Sequence, residues 1–146
     1  MPVTHTIVPE LSLVLRIYTG HVTAAELQAA IKATYADPKY REDMAEVDDL
    51  LDISFVDIGY QEALEFSRKA QEFHKQRGYQ TPHFFVVTQA AAQTSVSMFE
   101  VFSEMAGATE SMFVLPGYPE VMAVLDAPAD SLKFLPSDRQ TERDLL

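Results

Sequence analysis

A stretch in which every second residue is apolar, and the short apolar runs after it, are each followed by a stretch whose apolar residues recur every three to four, and this alternation narrows the possible folds more than any other feature of the chain. Leu11, Leu13, Leu15 and Ile17 fall on one side at the period of two of a half-buried strand. Thr4–Val8 precedes it across the turn-prone pair Pro9-Glu10, which predicts an N-terminal hairpin. Gly20 is expected to end the second strand. Thr23-Ala24-Ala25-Glu26 then has the form of a capping box, in which the Thr hydroxyl and the Glu carboxylate satisfy reciprocal backbone donors at a helix start. The stripe that follows is Leu27, Ala30, Ile31, Thr34 and Tyr35, and it ends at Asp37-Pro38.

The same alternation continues. Lys39–Glu46 is polar and reads as loop; Val47–Ile53 is a short apolar run bounded by acids and predicts a central strand. A loop is expected over Ser54–Gly59, then a helix with the stripe Ala63, Phe66, Ala70 and Phe73, closed near Gly78. His83–Val87, after Pro82, has the aromatic and β-branched composition of a buried strand. After a loop at Thr88–Thr94, a third helix carries Met98, Phe99, Phe102, Met105 and Ala106 and stops at Gly107. Met112–Leu115 is a last short strand, and Pro119 suits the first residue of a closing helix with Val121, Met122, Val124 and Leu125. The order β-β-α-β-α-β-α-β-α predicts an α/β domain with a mixed, mostly parallel sheet of four to five strands, and the one-sided stripes predict helices mainly on one face. The domain is expected over residues 1–127, with 128–146 as a flexible or docking tail.

Composition excludes several chemistries. There is no cysteine, so no disulfide framework, thiolate nucleophile or Cys-containing zinc site. A formal charge of −11 repels phosphate backbones, so nucleic acid is not an expected partner. The one local concentration of cations, Arg68, Lys69, Lys75 and Arg77, alternates with Glu65 and Glu72 and reads as a solvated helix face. No cationic leader opens the chain and no window reaches the ~20 apolar residues of a membrane span, so a cytoplasmic protein without membrane insertion is expected.

Several of these segments, taken in order, resemble the SpoIIAA-like (anti-sigma-factor-antagonist-like, STAS-related) family of small bacterial domains. They are Thr19-Gly20-His21-Val22-Thr23-Ala24-Ala25-Glu26-Leu27 with a helix ending in Asp37-Pro38, then Asp48-Asp49-Leu50-Leu51-Asp52-Ile53, Phe85-Val86-Val87, Met98-Phe99-Glu100, and Pro119 through Leu125. The resemblance spans roughly residues 5–127. It implies the mixed sheet just described and a regulatory or protein-interaction role. Better-understood relatives carry a phosphorylatable Ser in an Asp-Ser-Ser-Gly stretch after the central strand. Here the corresponding stretch is Asp57-Ile58-Gly59, which has no hydroxyl, so a switch driven by added phosphate charge does not carry over.

Ligands of open α/β sheets sit outside the carboxyl ends of the strands, which directs attention to the two loops there. Ser54, Phe55, Val56, Asp57, Thr88 and Gln89 are the candidate partner or ligand contacts, Phe55 and Val56 because they are apolar residues in an expected loop. Asp48, Asp49 and Asp52 read as strand-end solvation, since alternation keeps all three from converging. His5, His21, His74 and His83 show no i, i+4 pairing, and each reads as standing alone. No glycine-rich phosphate loop and no nucleophile elbow occurs. The sequence therefore offers no catalytic, cofactor-binding or metal-ligating set. It favours a non-catalytic interaction module that contacts a protein partner or its own copy. A small-molecule or lipid carrier opening at Thr88–Thr94 is the alternative, and an enzyme using Asp52, Asp57 or Thr88 stands third.

Overall fold

A computed structural model of the chain describes residues 2–76, 81–88, 112–128, 131, 133 and 135, apart from the side chains of Tyr60, Ala63, Ser67, Ala70, Gln71, Phe73 and His74. The hairpin forms as the sequence leads one to expect. Strand β1 (Val3–Val8) runs antiparallel to β2 (Leu13–Thr23), with a short 3-10 turn at Pro9–Leu11 between them. Helix α1 (Ala24–Ala36) starts on the capping box: the Glu26 amide donates to Thr23 Oγ1 at 3.2 Å, and the Thr23 amide donates to Glu26 Oε1 at 3.1 Å. Strand β3 (Ala45–Asp57), helix α2 (Tyr60–Gln76), β4 (His83–Val86), β5 (Met112–Leu115) and helix α3 (Tyr118–Leu125) follow. The five strands lie in the order β1-β2-β3-β4-β5, and every pairing after the first is parallel.

Strand alternation divides the core in two. On one face Tyr18, Val22, Leu50, Phe85 and Met112 pack with Leu27 and Ala30 of α1 and Leu64 and Phe66 of α2. On the other, Leu13, Leu15, Val47, Phe84 and Val86 pack with Tyr118, Val121 and Met122 of α3. Leu11 and Ile17 are partly buried against this second cluster, so the expected stripe of β2 is present. Its opposite side is equally sealed, because Val14, Arg16 and Tyr18 are also buried. The strand is thus covered on both faces rather than half-buried. Leu135 is buried in the second cluster, which anchors that point of the C-terminal segment to the sheet.

Three boundaries differ from the sequence reading. Gly20 does not end β2. It adopts a left-handed φ of 67°, the pairing register with β3 shifts on either side of it, and the strand continues to Thr23. Bulges on the facing strand β3, which carries the extra residue at each shift, thus accompany a β2 that runs on past the expected stop. Strand β3 correspondingly starts earlier and runs further than Val47–Ile53, so Ser54, Phe55, Val56 and Asp57 belong to the strand and only Ile58-Gly59 separates it from α2. Helix α3 begins at Tyr118, which makes Pro119 its second residue. The helix expected over residues 95–107 and the stop at Gly78 lie outside the described residues.

No heavy atom outside the neighbouring residues lies within 4 Å of a Cβ added at Gly20, so its constraint is conformational rather than steric. Gly20→Ala is expected to lower the unfolding free energy by about 1 kcal/mol, and Gly20→Asn by less, in urea denaturation.

Candidate functional site

The face of the sheet under α1 and α2 carries a row of charge in its middle. Cross-strand register sets Arg16 of β2 beside Asp48 of β3, and Glu46 of β3 beside His83 of β4. Alternation places all four on the same face. The Arg16 guanidinium donates to both Asp48 oxygens, Nε to Oδ1 at 2.7 Å and Nη2 to Oδ2 at 3.1 Å, and its Nη2 lies 2.9 Å from Glu46 Oε1. Tyr18 donates its hydroxyl to Asp48 Oδ1 at 2.7 Å, and His83 Nε2 donates to Asp48 Oδ2. From α1, the Tyr35 hydroxyl reaches Glu46 Oε1 at 3.2 Å. Arg16, Glu46, Asp48 and His83 are 2%, 1%, 3% and 6% exposed, so solvent screens none of these contacts effectively.

Burial alone would raise the Asp48 carboxyl. The Arg16 guanidinium, followed by the hydrogen bond from His83, outweighs it and holds the group well below the usual carboxylate range. Burial likewise works against the Arg16 charge, but Asp48 and Glu46 together raise its pKa well above the ordinary value. Burial, then the negative Asp48, pushes the Tyr18 hydroxyl well up, and burial with Glu46 does the same to Tyr35. Both phenols therefore remain protonated donors. Arg16 Nη1 is buried and has no hydrogen-bond partner among the described residues.

Asp49 faces the other way. It is fully buried, accepts the Tyr118 hydroxyl from α3, and accepts the Leu51 amide at 3.0 Å. Asp48 and Asp49 are thus adjacent residues, each tied by a tyrosine on its own side of the sheet. Neither solvates a strand end, as the sequence reading had it; only Asp52 is exposed. The histidines do not stand alone either. His83 donates to Asp48, His5 Nε2 to Asp37 Oδ2 at 3.0 Å, and His21 Nε2 lies 3.7 Å from Asp57 Oδ2. The Asp37 carboxyl is lowered by the Lys39 amide first and His5 next. His74 has its side chain outside the described residues.

A sequence signal for the buried cluster exists. Two adjacent acids inside an apolar central strand need a cation or donors in a neighbouring strand, and Arg16 interrupts the apolar run of the preceding one.

The second feature is the far end of the β2–β3 pair. Pairing of β2 with β1 reaches Tyr18, and pairing of β3 with β4 reaches Asp49, while β2 and β3 stay paired to Thr23 and Asp57. Among the described residues this end is a two-stranded ribbon. Val22 and Val56 turn into the core beneath α1 and α2, which removes Val56 from the candidate contacts. Ser54, Phe55 and Asp57 are exposed. Phe55, at 46% exposure, is one of two large apolar residues standing out among the described residues; the other is Val124 on α3. The Phe55 ring meets His21 edge-on, with centroids 5.2 Å apart and planes at 85°. Thr88 is exposed two residues beyond Val86, which pairs with Asp49. That leaves it roughly 13 Å of strand short of Phe55. Gln89 lies outside the described residues. The structure thus joins Phe55 and Asp57 with His21, which the sequence reading did not select, and separates Thr88 from them.

No group of three or more metal-capable side chains occurs among the described residues, and no described helix is long and apolar enough to cross a membrane. Comparison of the chain with protein-family models, with curated proteins and with solved structures gives no match.

Asp48→Asn leaves Arg16 facing one carboxylate instead of two in a buried setting, and should cost roughly 3 kcal/mol in urea denaturation; Tyr18→Phe should cost about 1 kcal/mol. Because Asp48 has a folded pKa below its unfolded value of about 3.9, its contribution is complete above that value and is lost as pH falls through the folded one. The thermal midpoint of the native sequence should therefore drop between about pH 5 and pH 2 more steeply than that of Asp48→Asn.

Proposed function

We propose that this chain is a SpoIIAA-like protein-interaction module that meets its partner at the far end of the β2–β3 pair. The observation that carries the reading is Phe55, an aromatic residue left nearly half exposed on a strand whose other apolar residues are largely covered. Aromatic side chains are enriched in contact surfaces, and this one stands at a strand end beside a polar rim. His21 and Asp57 give the ring a polar rim.

The strongly perturbed ionisable groups support this reading by their location. Perturbed groups often mark catalytic sites. Here the perturbed Arg16 and Asp48 are closed under α1 beside Glu46, and the three are bonded to one another and to Tyr18, Tyr35 and His83. That arrangement fits a structural ion-pair network. The family part of the reading rests on the sequence resemblance, and the absence of a hydroxyl at Asp57-Ile58-Gly59 makes the module one that operates without phosphorylation at that stretch.

Phe55→Ser removes the ring at an exposed position and should change the thermal midpoint by no more than a degree or two. In affinity capture from native extract, a partner retained by the unaltered protein should be lost by Phe55→Ser and kept by Val124→Ser. Equal retention by both variants would contradict the reading.

A further inference from the structure

The charge around the ribbon end identifies the kind of partner. The chain has no Lys or Arg between Arg16 and Lys32, nor between Arg41 and Arg68. Those two intervals hold the far ends of β2 and β3 and the first turns of both helices that leave them. Asp52, Asp57 and Glu62 are exposed there, and Asp57 shares its strand side with Phe55. Arg68 is eight residues into α2, about 12 Å down a helix that runs back toward the opposite end of the sheet. Arg41, the other bounding cation, is tied to Asp43 at 3.2 Å and to Ser12, at the start of β2. Among the described residues the exposed side chains of this end that carry formal charge are therefore carboxylates, with His21 as the ring's basic neighbour.

This distribution argues against a second copy as the occupant. Two ribbon ends brought together would set Asp52, Asp57 and Glu62 of one against the same residues of the other, and like charges juxtaposed in an interface cost several kcal/mol. A cationic segment gains from the same carboxylates. Of the two cationic side chains, arginine matches both parts of the surface. Its planar guanidinium stacks on an aromatic face and bonds a carboxylate with two parallel hydrogen bonds, while the strongly hydrated lysine ammonium gains less from the ring.

Resting on the interaction reading above, we infer that the ribbon end binds an arginine-bearing segment of a partner protein, with Phe55 stacking the guanidinium and Asp57 accepting its hydrogen bonds. Asp52 and Glu62 draw the segment in electrostatically, so binding weakens as salt is raised.

The test is a titration of 15N-labelled protein with three peptides, Ac-Ala-Arg-Ala-Arg-Ala-amide and its lysine and glutamate counterparts, followed by amide shifts. The arginine peptide should move the signals of His21, Ser54, Phe55 and Asp57 at millimolar concentration. The lysine peptide should bind several-fold more weakly and the glutamate peptide not at all. Phe55→Ser should weaken the arginine peptide about fivefold, and Asp57→Asn should weaken it with the ring still in place. Shifts that are equal for all three peptides, or that survive both substitutions, overturn the inference.

A photocrosslinking benzoylphenylalanine in place of Phe55, used in native extract, separates this inference from the reading beneath it. A crosslinked partner segment rich in arginine supports both. An acidic or uncharged segment overturns the arginine assignment and leaves the interaction surface standing. Neither a localised shift nor a crosslink overturns both.

Discussion

A guanidinium held between two carboxylates in the middle of a parallel sheet is the contact on which the rest of this molecule depends. Arg16 sits on β2 and its partners Asp48 and Glu46 on β3, the two strands with the longest pairing in the sheet. Since side chains alternate, a slip of one residue between these strands would carry Asp48 to the face of Leu13 and Leu15 and leave Arg16 buried against apolar side chains. Breaking a buried pair in that way costs about 3–5 kcal/mol, comparable with much of a small domain's whole stability. The ion pair thus specifies the register that the hydrophobic residues, interchangeable by comparison, do not fix on their own. Tyr18, Tyr35 and His83 complete it by supplying donors from three other positions, so β2, β3, β4 and α1 are tied through one carboxylate cluster.

The opposite face repeats the device on a smaller scale. Asp49 accepts the Tyr118 hydroxyl, which fixes α3 against the sheet at the residue next to Asp48. With both faces of the strand centre sealed, the surface we propose for recognition lies where β2 and β3 outrun their neighbours among the described residues. Two register shifts, each with its extra residue on β3, accompany the continuation of β2 through Gly20.

Much of the architecture was legible in the sequence because it follows from periodicity and local chemistry. The hairpin, the Thr23–Glu26 capping box and the strand Met112–Leu115 each rest on residues close in the chain. What was not legible depends on pairing between distant residues. Gly20 looks like a strand terminator until its pairing with Ile53 of β3 shows the strand running on, and Ser54–Asp57 looks like a loop until β2 is there to pair with it. Asp48 and Asp49 look like solvated acids for the same reason. Their charge is compatible with burial only once Arg16, 32 residues earlier, and Tyr118, 69 residues later, are brought alongside. The sequence points to Phe55 through an expected loop, whereas in the structure it is an exposed residue of strand β3.

The most direct test of the central contact is the NMR signal of the Arg16 side chain. A buried guanidinium bonded to Asp48 predicts an Nε–H resonance shifted downfield, exchanging slowly with water, with its two NH2 groups resolved from each other by restricted rotation. A rapidly exchanging, averaged signal at the position of a solvated arginine would contradict the account.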